Sequence, residues 1–214
     1  MWSNLWTDRA LAWLSSLPVG DVAHDGEHLR RVVNNAQQLA VAERANLAVV
    51  LPAAWLHDCV LLPKNHPDRQ HASRHAAQAA CAWLAAEGYP AEWLPAIHHA
   101  ILAHSYAGLQ PAQTIEAQVV QDADRLDAIG AVGLARCLLV AGQLQRSLYH
   151  PTDPFAVQRT LDDHRYALDH FYCKLLKLPA MLHTATAKAM AVERAAFLQQ
   201  FISQLATEIG ATPP

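Results

Sequence analysis

Apolar residues recur along most of the chain at steps of three and four, the spacing of one face of an α-helix. A first helix is predicted from about Leu5 to Ser15, ending before Pro18-Val19-Gly20. The next starts at His24 or Asp25 and carries Leu29, Val32, Val33, Ala36, Leu39 and Ala40 as an amphipathic stripe. A third runs from about Glu43 to Asp58, with Pro52 expected to kink or break it. Leu62 to Arg69 is polar, holds two prolines and reads as a loop. Further helices are predicted at about His71–Glu87, Glu92–His104, Ile115–Leu144, Asp153–Leu178 and Thr184–Ile209. Strand-like alternation is scarce, so the expected fold is all-α, a compact bundle of about eight or nine helices. A single domain is expected over residues 1–214, with a core at about 22–140 and C-terminal helices at about 153–209 packing on it.

Composition supports this picture. Alanine and leucine are abundant and only 8 glycines occur in 214 residues, which favours helix. A chain of this length buries roughly 70% of its unfolded surface and needs no disulfide or zinc staple. The four cysteines, Cys59, Cys81, Cys137 and Cys173, are scattered with no CxxC pair, as expected for reduced thiols in a cytoplasmic protein. Asp8 and Arg9 interrupt the N-terminal segment, so no signal peptide is expected. The apolar run Leu47–Leu56 is too short to span a bilayer and contains Pro52. The net charge of −3 comes without a basic block, which argues against general nucleic-acid binding. A soluble cytoplasmic protein without a membrane partner is expected.

Three places carry candidate chemistry. His57-Asp58 follows the apolar run Ala53-Ala54-Trp55-Leu56, so two polar groups arrive inside the fold. Burying them is costly unless something satisfies them. A divalent cation does so, since imidazole nitrogen and carboxylate oxygen are suitable ligands; a pair capping a helix is the plain alternative. His28 lies on the preceding amphipathic helix, where two antiparallel helices joined by a turn would bring it to His57. Arg31 follows on the same side. Asp122-Ala123-Asp124-Arg125-Leu126-Asp127 sets three aspartates in an otherwise apolar stretch, which favours a buried ligand over a solvated acidic face.

The pattern His…His-Asp…Asp resembles the HD superfamily of metal-dependent phosphohydrolases. One bacterial subfamily of small HD hydrolases is matched further by His24-Asp25-x-x-His28-x-x-Arg31-Val32, Trp55-Leu56-His57-Asp58 and Lys64-Asn65-His66-Pro67-x-Arg69. His104-Ser105-Tyr106, the run Asp122 to Gly130, and His170-Phe171-Tyr172-x-Lys174-Leu175-Leu176-x-Leu178 extend the resemblance, which covers about Val22 to Glu208. It implies one HD domain and one divalent ion (Mn, Mg, Fe, Ni, Co or Zn) held by His28, His57, Asp58 and Asp124. Asp124 is taken over Asp122 because the family ligand sits in an Ala-Asp-x-Leu setting. Asp122 then orients a histidine or caps an amide.

The resemblance also implies chemistry. A metal-activated water would attack phosphorus, with Asp58 or His104 taking the proton and Arg125 near the reacting group. His104 would face the open side of the metal; a helix-end surface histidine is the plain alternative. Arg31, Lys64 and Arg69 would bind phosphate oxygens, and Lys174 and Lys177 would add a lid from the C-terminal helices. A nucleotide or related phosphate compound is the implied substrate. A homodimer is left open. His75 with His98, His99 or His104 would be the extra pair of a two-metal site. An HD-type di-iron oxygenase, which needs six protein ligands, and a non-catalytic metal or nucleotide sensor are the rival readings.

Overall fold

The computed structural model describes residues 2–17, 26–60, 62, 66, 68–105 and 110–212, without the side chain of Arg69, and among these residues the periodic segments become nine α-helices. They are α1 (Asn4–Ser15), α2 (Gly26–Ala42), α3 (Leu47–Leu56), α4 (Ala72–Ala86), α5 (Leu94–His104), α6 (Ile115–Asp127), α7 (Gly130–Gln143), α8 (Ala167–Cys173) and α9 (Ala185–Glu208). Among the described residues there is no β-strand, only an isolated bridge between Ser147 and Tyr166. No single described helix is long and apolar enough to cross a membrane. None of the four cysteines is in a disulfide, and of them only Cys59 is buried. The chain divides into two compact units, Met1–Asp124 and Arg125–Pro214.

In the first unit, α3 is the central element. Seven of its ten residues are buried, so it has no solvent face to speak of. It packs against α2 and α5, and α4 packs on α5. Leu39, Leu56, Leu84, Ile97 and Ile101 are wholly buried, each contributing roughly 1.5–3 kcal/mol relative to exposure. The α3 start differs from the expected Glu43. Arg44 takes a left-handed φ of 56°, ending α2, and Asn46 then caps α3 by accepting the Ala48 N–H at 2.9 Å.

Pro52 does not break α3. Having no N–H, it cannot bond the Ala48 carbonyl one turn earlier. The Tyr89 hydroxyl donates to that carbonyl instead, at 2.7 Å. Tyr89 belongs to an aromatic cluster that holds α1 in place. Trp6 meets Tyr89 edge-on at 4.9 Å, and Trp13 stacks on Trp83 at 4.9 Å.

Two expectations change in the second unit. The predicted helix over Ile115–Leu144 is two helices, α6 and α7, parted at Ala128-Ile129. Gly130 there has φ +75°, and a Cβ on Gly133 would lie 2.2 Å from the Ala128 carbonyl carbon and oxygen. Arg136 braces the corner, donating to the Asp127 carboxylate at 2.7 Å, and Arg194 donates to the Leu126 carbonyl at 2.5 Å. The predicted helix from Asp153 begins only at Ala167. Asp153 accepts the Val157 and Gln158 N–H groups through its side chain, each at 2.9 Å, which competes with helical pairing. Asp169 accepts hydrogen bonds from Arg159 Nη1 and Nη2, at 2.5 and 2.6 Å, and from the Asp162 N–H at 2.6 Å.

Candidate metal centre

Four elements of the first unit deliver polar groups to one point. His28 lies in the first turn of α2 and is wholly buried. His57 caps the C-terminus of α3, also wholly buried, and Asp58 follows it. His104 is the last residue of α5, and Asp124 lies on α6. His28 Nε2 stands 3.7 Å from Asp58 Oδ2 and 3.7 Å from Asp124 Oδ1. His57 Nε2 stands 3.5 Å from Asp58 Oδ2 and 3.9 Å from Asp124 Oδ1. His104 Nε2 is 3.4 Å from Asp58 Oδ1. Asp122, two residues before Asp124, is wholly buried.

His57 decides whether this set suits a cation. Its Nδ1 donates to the Ala54 carbonyl at 2.8 Å, so the ring presents the Nε2 lone pair to the cluster. That Nε2 is buried with no hydrogen-bond partner among the described residues. Burial lowers the His57 pKa to about 4, against the attraction of Asp58, so the ring is neutral near pH 7. A buried acceptor left unsatisfied costs about 1–3 kcal/mol, and a divalent ion offsets that cost. The gaps between donor atoms are of the order shown by ligands that share one cation at about 2.0–2.2 Å.

The charges agree with this. Burial alone would raise the carboxyl pKa values, yet His57, with His104 and His28 beside it, holds Asp58 well below the usual range. Asp124 is also lowered: burial opposes the shift, and His57, His28 and His104 outweigh it. His104 is raised. Burial works against the proton, but the hydrogen bond and charge of Asp58 more than compensate. Its Nδ1 donates to the Ile101 carbonyl at 2.6 Å, which leaves Nε2 facing Asp58. The neighbouring Cys59 thiol is pushed up to about 12 by burial and by Asp58, so it offers no thiolate.

The remaining candidates are dispersed. Arg31 is half-buried one turn beyond His28. Lys64 and the side chain of Arg69 lie outside the described residues, as do His24, Asp25 and Tyr106. In the second unit Arg125 Nη1 donates to the Met181 carbonyl, Lys174 is half-buried and Lys177 is exposed. His75 is exposed, and His99 Nε2 accepts the Gln113 N–H at 3.2 Å. No second metal-type cluster forms among the described residues.

Two buried amides were not anticipated. Asn35 Nδ2 donates to the Ala123 carbonyl at 3.3 Å, and Gln121 Nε2 to the Ala103 carbonyl at 2.5 Å. The available signal was a polar residue within an apolar stripe, two turns after His28 for Asn35 and one step of three before Asp124 for Gln121.

Bacillus subtilis YpgQ is 34% identical over 207 residues, spanning 94% of this chain and 93% of YpgQ. The HD domain profile matches residues 25–129. The chain belongs to the HD superfamily. A crystal structure of YpgQ in complex with ADP superposes with a TM-score of 0.74 at 35% identity, covering 94% of this chain and 97% of that one. An HD-superfamily hydrolase from Bacillus thuringiensis gives 0.70 at 30% identity over 96% and 99%. A Lactobacillus plantarum protein gives 0.75 at 35% identity over 97% and 98%. The HD-superfamily hydrolase fold supports a metal-dependent phosphohydrolase in general terms, and an HD domain implies a divalent cation.

Proposed function

We propose that this HD protein hydrolyses a phosphate ester or anhydride bond of a nucleotide, using one divalent cation held by His28, His57, Asp58 and Asp124. The observation that carries the reading is the inward lone pair of the neutral, buried His57, which faces two carboxylates at 3.5 and 3.9 Å. The ADP complex of YpgQ supports a nucleotide as the substrate class. When bound, the cation lowers the pKa of water and offsets phosphoryl charge.

The protein's own groups do the rest. Backbone carbonyls orient the His57 and His104 rings through Nδ1. His104 Nε2 faces Asp58 Oδ1 at 3.4 Å, so in this reading Asp58 or His104 takes the proton of the attacking water and can return it to the leaving oxygen. Arg31, Arg125, Lys64, Arg69, Lys174 and Lys177 neutralise phosphate oxygens in this reading; arginine does so with paired donors and lysine as a point charge.

The test is a screen of metal-free protein refilled with Mn, Mg, Co, Ni, Fe or Zn against nucleotides and phosphate esters. Release of phosphate or pyrophosphate that requires metal is expected. Tight metal binding with no turnover across the whole panel would replace the hydrolase with a sensor.

A further inference from the structure

Gln121 lies outside the proposed ligand set, yet it is buried and donates to the Ala103 carbonyl at 2.5 Å. Ala103 directly precedes His104 in the last turn of α5. The last four carbonyls of an α-helix have no intrahelical N–H partner. At Ser105 the backbone leaves the helix, with φ −65° and ψ 133°. The Ala103 carbonyl therefore depends on a donor from outside α5. A second last-turn carbonyl, that of Ile101, is taken by His104's own Nδ1 at 2.6 Å. Among the described residues, the end of α5 and the ring it carries are thus held by two specific bonds, one from within and one from α6.

We infer that Gln121 is a positioning residue for His104: by clamping the Ala103 carbonyl it sets where His104 Nε2 stands relative to Asp58. The other side of the clamp is anchored. Gln121 is one step of three before Asp124 and shares its side of α6. Asn35 on α2 in turn binds the Ala123 carbonyl at 3.3 Å. His104 is thereby tied to the helix that bears the Asp124 carboxylate. His104 Nε2 and Asp58 Oδ1 are already 3.4 Å apart, near the limit of a hydrogen bond, so a small shift of the α5 terminus breaks the contact.

The kinetic part of the test rests on the proposed hydrolase reading; the spectroscopic part does not. In 15N ring spectra of metal-free protein, Gln121→Met is expected to move the His104 signals and leave those of His28 and His57 in place. All three rings moving together, or none, overturns the inference. In Mn-loaded protein turning over a nucleoside triphosphate, Gln121→Met is expected to lower kcat about 10- to 100-fold, short of full loss of a proton-transfer group. KM and Mn content are expected to stay near wild type. Added to His104→Ala, it is expected to cost nothing further, because the two act through one group; additive losses would place its effect elsewhere. Should the wild type turn over no nucleotide, the hydrolase reading fails and the ring spectra still decide the role of Gln121. Should Gln121→Met not fold, Gln121→Glu, of equal length and without the N–H, replaces it in both measurements.

Discussion

Asp58 and His104 face each other at 3.4 Å, yet they carry different tasks in the proposed site. Asp58→Ala removes a carboxylate shared by three histidines and is expected to abolish both metal retention and hydrolysis. His104→Ala is expected to keep its metal and lose about 10²- to 10⁴-fold in rate, the usual range for a proton-transfer group. Metal analysis beside steady-state kinetics separates the two; equal metal loss in both variants would make His104 a ligand. Another histidine sets a pH dependence. Burial, with Lys174 nearby, lowers the pKa of His170 despite its hydrogen bond to Asp163 at 2.8 Å. The unfolded chain then binds more protons than the native one below about pH 6.5, so this contribution is present above that pH and fades as pH falls through the native value. Wild type should lose more thermal stability than His170→Gln between pH 7 and about pH 5. Parallel melting curves would remove His170 from that role.

Among the elements, the corner between α6 and α7 depends most on residue size. A methyl group at Gly133 would meet main-chain atoms at 2.2 Å, and main chain cannot rotate aside. Gly133→Ala is expected to cost about 1–3 kcal/mol, typical of overpacking, and to lower Tm by at least about 2–4 °C. Gly142→Ala, where a Cβ would have open space, is the control and should melt near wild type. Equal melting of the two would mean that the corner relaxes around the methyl. The α3 terminus relies on the opposite kind of device. An apolar helix buried nearly all round ends in His57-Asp58, so the polar pair is driven inward by the burial of the residues before it.

At the scale of the molecule, a cation that binds only the folded state stabilises it by mass action. At a hundred times its dissociation constant that amounts to about 2.7 kcal/mol, or roughly 5–10 °C in Tm for a chain of this size. Chelation should lower Tm by that amount in wild type and leave Asp58→Ala unmoved, as differential scanning fluorimetry can establish. A chelator effect of equal size in both would place the stabilising ion outside the proposed site.

Local pattern determined much of this protein. Helix periodicity marks nearly every element, because the burial of one face acts on residues three and four apart. The HD motifs at His28, His57-Asp58 and Asp124 can be read directly, since ligand chemistry demands particular side chains. Elsewhere the outcome depended on partners distant in sequence. The helix expected from Asp153 is displaced to Ala167 by side chains that bind the backbone and by the Arg159–Asp169 pair. The long helix expected from Ile115 turns at Gly130, where Arg136 and Arg194 secure the corner. Asn35 and Gln121 satisfy carbonyls 88 and 18 residues away. Such bonds have no period along the chain: a buried amide takes its role from whichever carbonyl tertiary packing brings to it, and only the folded structure decides that.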